Sequence, residues 1–318
     1  MRVCRFQNQG ATHRGFYSEQ GVVPVEAAAK AYADATGQKL NISAAETLLP
    51  LLPCGSDFEA AKKLAAWVDD NRAKLPSGSV LALADVDLLV PLVAPKKILL
   101  LAGNYADHIR EGGQVAADRQ ETFPYVFMKP HSTLTNPGDP IKIPQVSPDH
   151  VDWELELGVV IGKQAKRVSE KVALEFVAGY TVVNDVSDRH YRPNPGRKER
   201  KNDAFFDWLH GKWHDTFCPV GPCITSADAV ADPQKLAMKL MVNGDVKQDA
   251  STGQQIFPVA AVIEFISQSV TLEPGDIIAT GTPAGVGNTT GTYLKDGDKV
   301  EASIASIGTL VNPVVKGW

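Results

Sequence analysis

Alanine, leucine and charged residues recur at helical spacing in two stretches of the first hundred positions, VEAAAKAYADATG from Val25 and FEAAKKLAAWVDDNRAKL from Phe58. The spacing predicts two helices, with Gly37 and Pro76 as their stops. From Ile98 onward the texture changes to short β-branched runs punctuated by Gly, Pro, Asn and Asp: KILLLAG, residues 154–162, GYTVVNDVS, LAMKLMVNG, DIIATGT and KVEASIASIGTLVNPV. Such a pattern belongs to an α+β, β-rich chain. The extended connector VPLVAPKK, around Pro91 to Lys97, divides it into a small N-terminal α/β domain over residues 1–93 and a larger domain over 94–318. The basic run Arg197 to Lys201 in PNPGRKERKND reads as a mobile loop.

Composition narrows the function classes. With 318 residues, 44% hydrophobic and 22% charged, the chain can bury a sizeable core and is neither a disordered tail nor a fibrous protein. A net charge of -5 and a pI near 5.8 argue against nucleic acid or an anionic membrane as partner, since both require a basic face. Cys4, Cys54, Cys218 and Cys223 have no paired CxxC spacing, so they suggest reduced thiols rather than a disulfide framework or a zinc site. The start MRVCRFQNQG lacks the apolar core of a secretory leader, and the most apolar stretch is broken by Asp85, Asp87, Pro91 and a lysine pair. The expectation is a soluble cytoplasmic protein. Phosphate-loop, HExxH and GxSxG signatures are absent, which leaves nucleotide-driven chemistry and serine hydrolysis without support.

Three groups of residues could carry chemistry. In VDWELELGVVIG, strand alternation puts Asp152, Glu154 and Glu156 on one face and Trp153, Leu155 and Leu157 on the other. That face is either a solvated acidic surface or a cation site, because like charges this close repel unless a proton or metal neutralises them. Asp185, at the end of YTVVNDVS, is either a strand-end turn former or a third carboxylate for an all-oxygen site. Such donors suit Mg²⁺ or Mn²⁺, with Ca²⁺ as a third candidate, rather than zinc. In GNYADHIREGG, His108 and Glu111 stand three apart and would meet on one helical face. They form either a weak surface pair or a carboxylate-oriented base.

These segments occur in an order that resembles the C-terminal catalytic domain of the fumarylacetoacetate hydrolase superfamily, from about Ala94 to Val315. The residues carrying the resemblance are Gly103, Asn104, Tyr105, His108 and Glu111; Phe127, Lys129, Pro130, Ser132 and Leu134; Glu154 and Glu156; Asn184 to Val186; Gly211, Lys212, Asp215, Thr216 and Phe217; and GDIIATGTPAGVG over 275–287. The resemblance implies a mixed β-roll with a metal in a β-lined pocket, usually in a homodimer. It makes Glu154, Glu156 and Asp185 the metal ligands, His108 with Glu111 the water-activating dyad, and Lys212 a contact to substrate or oxyanion. Tyr105, Lys129, Arg189, Gly281 and Thr282 would then face a small anionic keto acid. The implied activity is metal-dependent hydrolysis of a C–C bond in a 2,4-diketo acid of the acylpyruvate or fumarylpyruvate type, as in aromatic catabolism. Decarboxylation, hydration or isomerisation on the same site is the alternative, and a non-catalytic metal-stabilised binder a distant one. Trp213 and His214 depart from the small hydroxyl and aromatic residues that many relatives carry after Gly-Lys. The basic, aromatic segment 189–207 would either close over the substrate or decorate the surface.

Overall fold

The computed structural model describes residues 1–116 and 118–317. Among them an eleven-stranded sheet runs in the order Gly21–Pro24, Ala11–Ser18, Arg2–Asn8, Cys218–Ser226, Val177–Asn184, Leu155–Ile161, Ile277–Ala279, Ile98–Ala102, Tyr125–Met128, with Asp87–Leu89 and Leu134–Thr135 attached off this path. A five-stranded sheet holds Asp245–Ser251, Ala237–Val242, Lys299–Ile304, Gly308–Lys316 and Ile141–Ile143. Every residue of Leu155–Ile161 and of Val177–Asn184 is buried, which explains their near-continuous apolar sequence: both faces of the central sheet are covered.

The two faces have different partners. Leu155, Leu157, Val159 and Ile161 join a core shared with Met238, Leu240, Val300 and Leu310 of the second sheet and with Val262 and Ile266 of the helix Val259–Ser269. Val160, Val183 and Ile224 face the opposite way, into a cluster with Ala28 and Tyr32 of the helix Val25–Thr36 and Leu64 and Val68 of the helix Phe58–Asn71. The first of these helices stops at Gly37, whose φ of 71° lets its N–H cap the carbonyl of Ala33.

The first ninety-three residues share both sheet and core with the rest. Arg2–Asn8 pairs antiparallel with Cys218–Ser226, Arg2 opposite Thr225, so the N-terminal strands extend the central sheet across the Pro91 to Lys97 connector. These strands are additional to the helices legible in that part of the sequence. A further helix, Asp203–His210, follows the basic run, and Arg197 ion-pairs with Asp203 and Asp207 on it.

Candidate active site

Pairing of Leu155–Ile161 with Val177–Asn184 sets Leu155 opposite Asn184 and Glu156 opposite Val183. Glu154, Glu156 and Asp185 therefore converge where the strand pair ends. Backbone and side chain lock the junction: Asp185 N–H donates to the Glu154 carbonyl at 2.9 Å, and Glu154 N–H to Asn184 Oδ1 at 3.0 Å. A ligand oxygen from each of the three carboxylates lies within 4.8 Å of the others, and all three residues are buried. A solvated acidic face is thereby excluded. Asp152 stays apart from this cluster, because regular pairing is interrupted at Trp153 and Glu154.

Cations crowd the same place. Lys212 Nζ stands 3.0 Å from Glu154, 2.6 Å from Asp185 and 2.8 Å from Ser187 Oγ, beneath the rings of Phe127 and Trp208. Arg189 reaches Glu154 at 2.6 Å and Asp152 at 2.8 Å, and Lys129 reaches Asp185 at 2.5 Å. Burial opposes ionising Glu154, but the Arg189 and Lys212 charges outweigh it and hold its carboxyl well below the usual range. Burial likewise works against the Lys212 charge, and Asp185 and Glu154 more than restore it. Among the described residues no lysine or arginine ion-pairs directly with Glu156. Burial and then the Asp185 and Glu154 charges push its carboxyl well up, and its Oε1 is buried without a hydrogen-bond partner. An unpartnered buried oxygen facing two further carboxylates suits a hard divalent cation, which would replace the proton on Glu156. Glu154, Glu156 and Asp185 are the residues that could hold it.

The second element of the site comes from the helix Ala106–Glu111. Asn104, buried just before it, anchors this end of the chain: its amide donates to the carbonyls of Phe257 and Thr280 at 3.0 and 2.8 Å and accepts from Phe257 N–H at 2.8 Å. One turn later, His108 Nδ1 and Glu111 Oε1 are 2.7 Å apart. A carboxylate accepts only, so Nδ1 carries a proton, and in the neutral ring Nε2 keeps a lone pair. Burial raises the Glu111 carboxyl, yet hydrogen bonds from His108, Gly285 N–H and Thr289 together bring it below the usual range, so it is ionised at neutral pH.

A cavity of about 430 Å³ connects the two elements, with His108, Glu154, Arg189, Lys212 and Thr282 on its wall. Tyr105, Lys129 and Gly281 lie behind that wall. The Tyr105 hydroxyl meets Met238 Sδ at 3.2 Å, Lys129 Nζ donates to the Val186 carbonyl at 2.8 Å, and Gly281 N–H donates to Glu156 Oε2 at 2.7 Å. Tyr105 thus points toward the second sheet, whereas Lys129 and Gly281 contact the acids Asp185 and Glu156. Within the segment 189–207 Arg189 turns inward, whereas Arg192 pairs with Glu199 and Arg197 with Asp203. Gln248 carries no signal in the sequence, being one polar residue on an outer strand. It is buried, accepts from Leu155 N–H at 2.9 Å and donates to Thr282 Oγ1 at 2.8 Å, tying the metal-side strand to the cavity wall.

Residues 97–315 match the model of the fumarylacetoacetate (FAA) hydrolase C-terminal domain. The chain belongs to the fumarylacetoacetate hydrolase family. A mitochondrial oxaloacetate tautomerase of Xenopus laevis is 41% identical over 268 residues, 84% of this chain and 80% of that protein. Among solved structures, maleylpyruvate hydrolase from Sphingobium sp. SYK-6, in complex with manganese(II) and pyruvate, superposes with a TM-score of 0.71 at 31% identity, covering 100% of both chains. The 2-hydroxyhepta-2,4-diene-1,7-dioate isomerase of Mycobacterium marinum gives 0.68 at 31%, covering 99% of this chain and 98% of that one. These family relatives are enzymes named for tautomerisation, hydrolysis and isomerisation, and the carboxylate cluster fits a divalent metal site.

Proposed function

We propose that this protein moves a proton within a small 2-oxo dicarboxylic acid of the oxaloacetate type, interconverting its keto and enol forms with a divalent metal in the cluster of Glu154, Glu156 and Asp185. The observation that carries the reading is the His108–Glu111 pair at 2.7 Å, set on the wall of the cavity that also exposes Glu154 and Lys212. A divalent cation would supply Lewis-acid polarisation of the 2-oxo group. His108 Nε2 takes the proton from carbon 3, Glu111 stabilises the imidazolium, and the Lys212 ammonium faces the negative charge that develops on oxygen. The same imidazolium returns the proton to that oxygen, directly or through water. One C–H bond breaks and one O–H bond forms, with nothing gained or lost.

Sequence similarity supports tautomerisation over C–C hydrolysis: the tautomerase relative is 41% identical, the hydrolase neighbour 31%. Hydrolysis of an acylpyruvate is the second reading, supported by that neighbour's pyruvate complex, and it would use His108 to activate water instead. Following enol-oxaloacetate absorbance with Mn²⁺ present, alongside pyruvate release from acetylpyruvate, separates the two. The expected result is accelerated ketonisation without pyruvate release, reduced on the order of 100-fold in His108→Ala. Pyruvate release from acetylpyruvate with no acceleration of ketonisation would transfer the assignment to hydrolysis.

A further inference from the structure

Asp152 lies outside the acid cluster and off the cavity wall, fully buried, with four donors on its two oxygens. Oδ1 accepts from Trp153 N–H at 2.8 Å and Gly287 N–H at 2.7 Å. Oδ2 accepts from Asn288 N–H at 3.0 Å and Arg189 Nε at 2.8 Å, and Arg189 continues to Glu154 at 2.6 Å. On the other side of the same segment, Gly285 N–H and the Thr289 hydroxyl donate to Glu111 Oε2 at 2.9 and 3.3 Å. Residues 285–289 are thereby held between two carboxylates, one tied to the acid cluster and the other to the histidine. Glycine is required at the tightest point: a Cβ on Gly287 would sit 1.9 Å from the Thr292 carbonyl and 2.7 Å from Asp152 Oδ1.

We propose that Asp152 is a positioning residue which, through residues 285–289, sets where Glu111 and the His108 ring stand relative to Glu154. The proposal rests on reading His108 as the proton-transferring base. Its physical basis is saturation: a carboxylate has about four lone-pair sites, and here each has a donor, so the backbone at 287 and 288 has one satisfied arrangement. An amide in its place turns one acceptor into a donor and leaves Arg189 with Glu154 as its partner. The loop then shifts, Glu111 follows, and the Nδ1–H form of His108 loses its orienting acceptor. Misplacement of about 1 Å can cost on the order of 100-fold in rate.

The test reads the ring itself, on the full chain labelled with ¹⁵N-histidine, with His108 assigned by its loss in His108→Gln. The wild type is expected to show the Nδ1–H tautomer, and Asp152→Asn a mixture of tautomers. For oxaloacetate ketonisation, kcat of that variant is expected to fall roughly 10- to 100-fold while KM moves far less. A folded Asp152→Asn with the wild-type tautomer overturns the proposal, whatever its activity. If Asp152→Asn does not fold, Asp152→Ser carries the test, because the shorter side chain adds no amide donor yet cannot accept from all four groups that the carboxylate holds. A mixed tautomer supports the proposal in this variant, and an unchanged one overturns it. Mixed tautomers in a variant whose wild type does not turn over oxaloacetate would sustain the positioning role and reject the functional reading instead.

Discussion

Asp57 immediately precedes the helix Phe58–Asn71 and directs its carboxylate backwards along the chain, accepting from the Ser43 hydroxyl, from Ser43 N–H at 2.8 Å and from the Ser56 hydroxyl at 2.8 Å. The Ser43 hydroxyl has the largest effect and holds this carboxyl below the usual range against the opposing cost of burial. Because the folded value is depressed, the stability Asp57 contributes is fully present above the unfolded value of about 4 and is lost as pH falls through the lower folded value. Asp57→Ala is expected to cost about 2 kcal/mol at pH 7 in urea denaturation, and less below pH 3. A cost independent of pH would show that the charge is irrelevant there. At this scale alternation, strand-end position and a three-residue spacing marked Glu154, Glu156, Asp185, His108 and Glu111 only as candidates, and the resemblance grouped them; the fold then brings the three carboxylates within 4.8 Å of one another and His108 to 2.7 Å from Glu111. Asp152 shared the same alternation yet lies outside the cluster, since the strand pairing breaks beside it.

At the level of elements, the two N-terminal helices were legible because each carries its own apolar period. The strands Arg2–Asn8, Ala11–Ser18 and Gly21–Pro24 were not. Their short runs mix Arg, Gln, His and Gly with apolar residues, and β-propensity depends on partners. Here the first of them pairs with Cys218–Ser226, more than two hundred residues away. A fragment beginning at residue 94 would bare that strand's edge and the faces of Val183 and Ile224 that meet Ala28 and Leu64. Its expected behaviour is aggregation, measured by light scattering after expression. A monodisperse fragment with cooperative unfolding would make the N-terminal residues dispensable for folding.

For the whole molecule, the acid cluster at the end of the two central strands would couple cation binding to stability. Mn²⁺ at about 100 times its Kd is expected to raise the unfolding free energy by about 2.7 kcal/mol. Calorimetry should show this as a Tm several degrees higher, with most of the gain abolished in Glu156→Gln. An unchanged Tm in the wild type would remove the metal from the account. Among the described residues no helix is long and apolar enough to cross a membrane. The sequence by itself determined the β-rich class and, through its ordered motifs, the family, because these depend on local period and residue chemistry; it offered the acids and the His108–Glu111 pair as candidates with alternatives open. Tertiary structure alone decided which lysine faces the cavity, why Gly281 serves Glu156, and how Asp152 and Gln248 bind separate elements together. Those outcomes depend on contacts between residues tens to hundreds of positions apart, such as Lys129 with Val186, Gly281 with Glu156 and Gln248 with Leu155. No local pattern encodes which donors will meet which acceptors once both faces of the central sheet are covered.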